Sequence, residues 1–111
     1  MEIREQRQGA VTVLKPIGPL VQADADAFAQ RLTTAAARSL GRIFLDAAAI
    51  PFADSAGLEA LAAAADQLGQ TGQVLKISGA GETLREVLEL TDLDPLFEYF
   101  QEVSDATRSF L

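Results

Sequence analysis

The sequence predicts an α/β fold in which about four helices pack on a mixed, mostly parallel β-sheet of about four to five strands. Short apolar runs alternate along the chain with longer segments whose apolar residues recur every three or four positions. This alternation is typical of strands that are connected by helices and pair in parallel. Two strand-like segments stand together at the N-terminus, so a β-hairpin should supply an antiparallel edge. At 111 residues, we expect a single domain over residues 1–111.

The predicted N-terminal part begins with strands at residues 3–7 and 10–17, joined by a turn at Gln8-Gly9. A helix follows over residues 24–40, because its apolar side chains return at helical spacing. That face is formed by Phe28, Leu32, Ala35, Ala36 and Leu40. Gly41 then provides a natural C-terminal stop for the helix.

The central segment predicts a buried strand, a short turn and a second helix. After Arg42, residues 43–45 are apolar, as in a strand that is covered on both faces, and Asp46 ends this strand. Asp54 or Ser55 supplies the side-chain oxygen that caps the helix, which runs to about residue 68. Its inward face consists of Leu58, Leu61, Ala62, Ala65 and Leu68. A polar pair is thereby placed at the rim of the domain, at the positive end of a helix dipole.

The C-terminal part predicts a strand at residues 73–78, a helix at 82–90, a closing strand at 96–103 and a last helical turn or two over residues 104–111. The Asp94-Pro95 pair separates the third helix from the closing strand. The complete order of elements is therefore β-β-α-β-α-β-α-β-α.

The composition excludes several classes of function. Nine basic and sixteen acidic residues give a net charge of −7, which disfavours binding to nucleic acids and to anionic membranes. Cysteine and histidine are absent, which excludes disulfides, thiolate nucleophiles, Cys/His metal sites and Ser-His-Asp triads. No run approaches a membrane span, and residues 2–8 lack the character of a signal peptide. We expect a cytoplasmic protein with no cofactor, no metal and no enzymatic activity of its own.

The stretch Asp54-Ser55-Ala56-Gly57-Leu58 resembles the signature turn of a STAS domain. It is preceded by the strand Ile43-Phe44-Leu45-Asp46 and by Ile50-Pro51-Phe52, in the family's order and spacing. Gly18-x-Leu20 matches the turn after the family's second strand, and a glycine-rich break precedes residues 74–77. The family includes bacterial anti-sigma factor antagonists and the cytoplasmic tails of sulfate transporters. This resemblance spans nearly the whole chain and implies the STAS fold.

The resemblance to the antagonists implies a phosphorylation switch at Ser55. In those proteins, this serine is phosphorylated by a partner that is both an anti-sigma factor and a serine kinase, and only the unphosphorylated form binds that partner. The implied partner-binding residues are Asp54, Ala56, Gly57, Leu58, Leu20, Val21 and Asp24. Two positions depart from the antagonists: Ala56 replaces a frequent second hydroxyl residue, and Val21 replaces a common acidic residue.

A second function fits the same resemblance. In this alternative, the chain is a STAS subunit of a membrane transport complex, such as the partner of a lipid-transport ATPase, and docks through the same helix without phosphorylation. The retained Ser55 favours the regulatory function, whereas Val21 mildly favours the transport function.

From the residues alone, Asp54 and Ser55 also have a purely structural interpretation as a helix N-cap, worth about 1 kcal/mol. Gly57 lowers the stability of the first helical turn by up to about 1 kcal/mol relative to alanine. A glycine at this position is expected where another group must approach the backbone closely. The second helix is unusually rich in alanine. Its outward positions, which are candidates for contact with a docked partner, are Ala60, Ala63 and Ala64.

Two other motifs are interpreted as structural features and not as binding sites. Gly79-Ala80-Gly81 begins like a dinucleotide-binding motif, but Leu84 occupies the place of the third glycine. The carboxylate pairs Asp24 with Asp26 and Asp92 with Asp94 are more typical of helix caps and turns than of a metal site.

Overall fold

The computed structural model describes all residues, Met1–Leu111. The regular elements follow the predicted order. They are β1 (Glu2–Gln8), β2 (Val11–Ile17), α1 (Gln22–Arg38), β3 (Ile43–Asp46), α2 (Ser55–Gly69), β4 (Leu75–Ser78), α3 (Glu82–Leu90), β5 (Phe97–Phe100) and α4 (Val103–Arg108). A short 3₁₀ turn, Asp94–Leu96, leads into β5.

The five strands form one sheet in the order β1-β2-β3-β4-β5. β1 pairs with β2 in antiparallel orientation, and every later pair of neighbours is parallel. The predicted mixed, mostly parallel sheet with an N-terminal hairpin is therefore confirmed. Because the parallel strands advance in one direction and such crossovers are right-handed, the three connecting helices are expected on one face of the sheet.

Alternate side chains of the sheet enter two different hydrophobic clusters. Leu14 and Leu45 lie in the larger cluster, together with the apolar faces of α1, α2 and α3. Val13 and Phe44, each one position away, lie in a smaller cluster that contains Ala106 of α4. This period of two is the pattern of strands buried on both faces. Three helices therefore cover one face of the sheet, and α4 covers the other.

The closing strand is shorter than predicted. β5 spans Phe97–Phe100, whereas the sequence suggested residues 96–103. On its N-terminal side, Pro95 lies within the 3₁₀ turn, since it has no N–H to donate to a sheet. On its C-terminal side, Val103 already begins α4.

The alanine-rich helix α2 packs against α1 and has no free alanine face. Ala60 and Ala64 are only 9% and 7% exposed and belong to the larger cluster. The prediction that both face outward is wrong, because α1 lies on the same side of the sheet and covers them. Ala63 is the one member of that predicted set that is exposed.

Candidate functional site

Two loops are joined at the carboxyl edge of the parallel strands. One loop connects β2 to α1, and the other connects β3 to α2. Leu20 in the first forms an isolated parallel bridge with Ala53 in the second. The N–H of Leu20 donates to the carbonyl of Phe52 at 3.0 Å, and the N–H of Asp54 donates to the carbonyl of Leu20 at 3.1 Å. These bonds hold the predicted signature turn against the turn after β2.

The Asp54 side chain caps two helices at once. Its Oδ1 accepts a hydrogen bond from the N–H of Gly57 at 2.9 Å, which makes Asp54 the N-cap of α2. Its Oδ2 accepts a hydrogen bond from the N–H of Gln22 at 3.0 Å, and Gln22 is the first residue of α1. Val21, the N-cap of α1, provides no side-chain acceptor of its own. Of the two capping residues that the sequence offered, Asp54 is the one that caps.

These hydrogen bonds also set the acidity of the carboxyl group. The bond from the backbone of Gly57, and after it the bond from Gln22, hold the pKa of Asp54 below its usual value. Both bonds are made to the ionised form, which is the form that they favour. Asp54 is therefore favoured in its charged form, and each of its two oxygens accepts a hydrogen bond from the chain's own backbone.

Gly57 is required by contact within the chain. A Cβ at this position would collide with the carbonyl oxygen of Leu20. The close approach that the glycine suggested therefore comes from the neighbouring loop. Gly57 is buried, as are Leu58 at 8% exposure and Leu20 at 0%. These three residues therefore offer little side-chain surface to a partner, and their assignment to partner binding stays a prediction.

Ser55 is the first residue of α2 and is exposed to solvent. Its hydroxyl makes no hydrogen bond within the chain, in contrast to the carboxylate of Asp54 beside it. Ala56 and Val21 are half-buried and border the same surface. A group transferred to the Ser55 hydroxyl would project outward at the positive end of the α2 dipole. Modification of Ser55 therefore requires no opening of the fold.

Asp24 lies farther along α1 and has a different role. Its Oδ1 accepts a hydrogen bond from the amino group of Met1 at 3.0 Å. The structure thus joins Leu20, Asp54 and Gly57 into one bonded unit, whereas Asp24 contacts Met1, the residue before β1. The assignment of Asp24 to a partner surface stays a prediction.

Sequence reasoning missed the exposed side chain of Phe52. This residue is 48% exposed on the loop just before the α2 cap. Its carbonyl is fixed by Leu20, so the backbone that carries the ring is held in place. The sequence feature that could have predicted this exposure is the position of Phe52 directly after Pro51, where the aromatic residue belongs to no periodic apolar pattern.

The glycine motif after β4 has a local structural explanation. Gly79, the first glycine of the β4–α3 loop, has a φ of +66° and packs on Ala48. This left-handed conformation favours glycine and explains its presence without a bound nucleotide. No group of three or more acidic side chains is arranged to hold a metal ion. None of the helices is both long enough and apolar enough to span a bilayer.

Comparison with known proteins identifies the family. The STAS domain model matches residues 2–106, so nearly all of the chain is included. The chain belongs to the STAS domain family, as the signature turn indicated. No curated protein matches the chain by sequence.

Solved structures share the fold closely. A proposed anti-sigma factor antagonist from Thermotoga maritima is 20% identical, with a TM-score of 0.86 over 96% of this chain and 92% of that chain. An anti-sigma factor antagonist from Mycobacterium paratuberculosis is 25% identical, with a TM-score of 0.82 over 97% of this chain and 92% of that chain. The phosphorylated form of the Bacillus cell fate determinant SpoIIAA is 16% identical, with a TM-score of 0.73 over 99% of this chain and all of that chain.

The fold also occurs within a transporter. The murine anion transporter Solute Carrier 26 family member A9 aligns with 94% of this chain at 18% identity and a TM-score of 0.76. The aligned part is 18% of the transporter chain.

Proposed function

We propose that this protein is a cytoplasmic anti-sigma factor antagonist whose binding is switched by phosphorylation of Ser55. In the unphosphorylated state it binds an anti-sigma factor that is also a serine kinase, and phosphorylation releases that partner. The observation that carries the proposal is the exposed and unbonded hydroxyl of Ser55 at the start of a helix whose cap is already satisfied by Asp54. The protein acts as a binding module, and the catalysis belongs to its partner.

A phosphate on Ser55 would change the fold very little. It adds about −1.5 to −2 charges near neutral pH. The N-terminus of α2 favours that charge by ~0.3–1 kcal/mol, and the nearby carboxylates of Asp54 and Glu59 oppose it by a similar amount. The hydrogen bonds of the cap do not involve the Ser55 hydroxyl, so none of them must break.

The same phosphate would weaken an interface strongly. Burying a doubly charged group against a partner without a matching cation costs several kcal/mol. A loss of about 3–4 kcal/mol corresponds to a few hundredfold in affinity. The switch therefore acts on recognition, and the framework of joined loops stays intact in both states.

The exposed ring of Phe52 gives this surface an apolar anchor beside the switch. Aromatic side chains are enriched among residues that dominate binding energy. Phe52 lies three residues before Ser55 on the segment that leads into α2, and Val21 and Ala56 are half-buried, so we infer that one partner contacts Phe52 and Ser55 together. The partner is expected to bring an apolar pocket for the ring and space for one hydroxyl.

The test is affinity capture from cells of the native organism with Ser55→Ala and Ser55→Asp as baits. We expect the first bait to recover a soluble ATP-binding kinase and the second to lose it by a hundredfold or more. Ser104 provides a matched control, since it is an exposed serine in the first turn of α4. Ser104→Asp should retain the kinase. Equal recovery by both Ser55 baits, with the kinase present, would refute the switch.

The transport function is the second candidate, and the similarity to a domain of an anion transporter favours it. Val21, which stands where many antagonists have an acidic residue, points the same way. In this case both Ser55 baits should recover membrane transporter subunits, such as those of a lipid-transport ATPase. The same capture experiment therefore separates the two functions.

A further inference from the structure

A cleft of about 370 Å³ lies between the C-terminal halves of α1 and α2. It is separate from the signature turn, because Ala64, the lining residue of α2 that is nearest to Ser55 in sequence, lies about 14 Å along the helix at ~1.5 Å per residue. None of the residues assigned to partner binding lines it. The cleft therefore needs an explanation separate from the proposed switch.

Small side chains on both helices create this space. Ala36 of α1 and Ala64 of α2 both line the cleft, Leu32 and Leu68 form its closed floor, and the exposed Leu40 adds apolar surface at its rim. Leu32 and Leu68 are 1% and 8% exposed, so their side chains are held in the core beneath. A larger residue at either alanine would occupy the space. The cleft thus has an apolar wall that is fixed by the packing of α1 on α2.

Neutral polar groups surround the apolar wall. The Thr33 hydroxyl donates to Oε1 of Gln67 at 3.3 Å, and Nε2 of Gln73 donates to the carbonyl of Leu40 at 3.4 Å. Both bonds are long, and Nε2 of Gln67 makes no hydrogen bond within the chain. An incoming hydroxyl or amide can therefore find both donors and acceptors. No charged residue lines the cleft.

We propose that this cleft binds a small neutral amphiphile, an aliphatic chain with a hydroxyl or amide head. The apolar wall takes the chain, and the amide of Gln67 takes the head, since the amide of Gln73 is already bonded at both ends, to Thr71 and to the carbonyl of Leu40. The volume falls near the lower end of the ~300–1,000 Å³ that small-molecule sites occupy, which limits the ligand to a short chain. An anionic head is disfavoured, because the lining offers it no cation and the protein carries a net charge of −7. This site goes beyond the proposed function and does not depend on it.

Octanol and octanoate provide a matched pair of probes, since they share a chain length and differ in the charge of the head. Amide chemical shifts of the isotopically labelled full chain are followed by NMR as each probe is added. Octanol should bind saturably, with shift changes concentrated at Thr33, Gln67, Thr71 and Gln73. Octanoate should bind at least tenfold more weakly. Absence of saturation by octanol, scattered shift changes, or equal affinity for octanoate would each overturn the proposal.

Substitutions that fill the cleft test its location. Ala36→Leu and Ala64→Leu enter from opposite helices, and each should weaken octanol binding at least tenfold while the amide spectrum stays dispersed. If one of these two variants fails to fold, the other is sufficient for the test. Ala63→Leu is the matched control, because Ala63 is exposed on α2 and does not line the cleft. Unchanged octanol affinity in a folded filling variant, or an equal loss in Ala63→Leu, would place the probe elsewhere and refute the site.

Discussion

The carboxylate of Asp54 accepts a hydrogen bond from the backbone of Gln22 at 3.0 Å, although the two residues begin different helices. Its other oxygen accepts the N–H of Gly57 in the first turn of α2. One side chain therefore ties the starts of α1 and α2 together and fixes the turn that carries Ser55. Substitution of Asp54 tests the architecture of this end of the domain, whereas substitution of Ser55 tests recognition.

Asp54→Ala should lower the melting temperature by several degrees. The substitution leaves the N–H groups of Gln22 and Gly57 without their acceptor, and unpaired donors at helix starts destabilise the fold. Asp26→Ala is the control, since Asp26 is exposed on α1 and makes no side-chain hydrogen bond. Thermal unfolding followed by circular dichroism measures both variants. Equal melting temperatures for the two would show that the double cap contributes nothing.

The free energy of unfolding should decrease in acid, in part because Asp54 becomes protonated. Because the pKa of Asp54 is depressed in the folded state, its contribution is complete above the unfolded-state value of about 3.9 and is lost as the pH falls through the folded-state value. Asp54→Asn should therefore be less stable than the parent at neutral pH and lose less stability between about pH 4 and pH 2. Urea unfolding across this range gives the change of the unfolding free energy with pH for the parent and for Asp54→Asn. Identical pH dependence in the two proteins would contradict a depressed pKa of Asp54.

Gly57→Ala should destabilise the protein by about 1–3 kcal/mol, because the added Cβ collides with the fixed carbonyl of Leu20. This loss exceeds the helix propensity that alanine brings, which is about 1 kcal/mol. Gly69→Ala on the same helix is the control, since an added Cβ there meets nothing within 4 Å. That variant should be neutral or more stable by about 0.4–1 kcal/mol. Urea unfolding compares them, and equal effects would argue against the collision.

Phe52→Ala should separate binding from folding. The ring is 48% exposed, so its truncation should cost well under the ~3–5 kcal/mol of a fully buried Phe→Ala change, and the domain should stay folded. Capture of the partner by the Ser55→Ala bait should fall tenfold or more, as expected for an aromatic anchor worth about 2 kcal/mol. Leu90→Ala, at an exposed position on α3, should leave capture unchanged. Full capture by the Phe52 variant would remove this ring from the proposed surface.

The order of strands and helices could be predicted because each element carries its own periodicity. The apolar strand at β3 and the helical spacing of Leu58, Leu61 and Leu68 are local patterns, and both elements lie where they were expected. Ends were less predictable where two signals competed. At β5, the strand-like run continues to Val103, but α4 begins there.

The candidate site depends on contacts between distant segments, which local patterns do not encode. The reason for Gly57 is the carbonyl of Leu20, and the second partner of Asp54 is Gln22. The burial of Ala60 likewise follows from the placement of α1. The sequence indicated that these positions were special but not which part of the chain makes them so.

The order of the strands in the sheet is also their order along the chain. During synthesis, each new strand therefore emerges when the strand it will pair with has already been made, and no gap in the sheet must be held open for a later segment. Pairing between successive strands keeps the loops to be closed shorter than pairing between strands farther apart along the chain would, which lowers the entropic cost of closure. The domain is thus suited to assemble progressively from its N-terminal hairpin while the ribosome is still translating the rest.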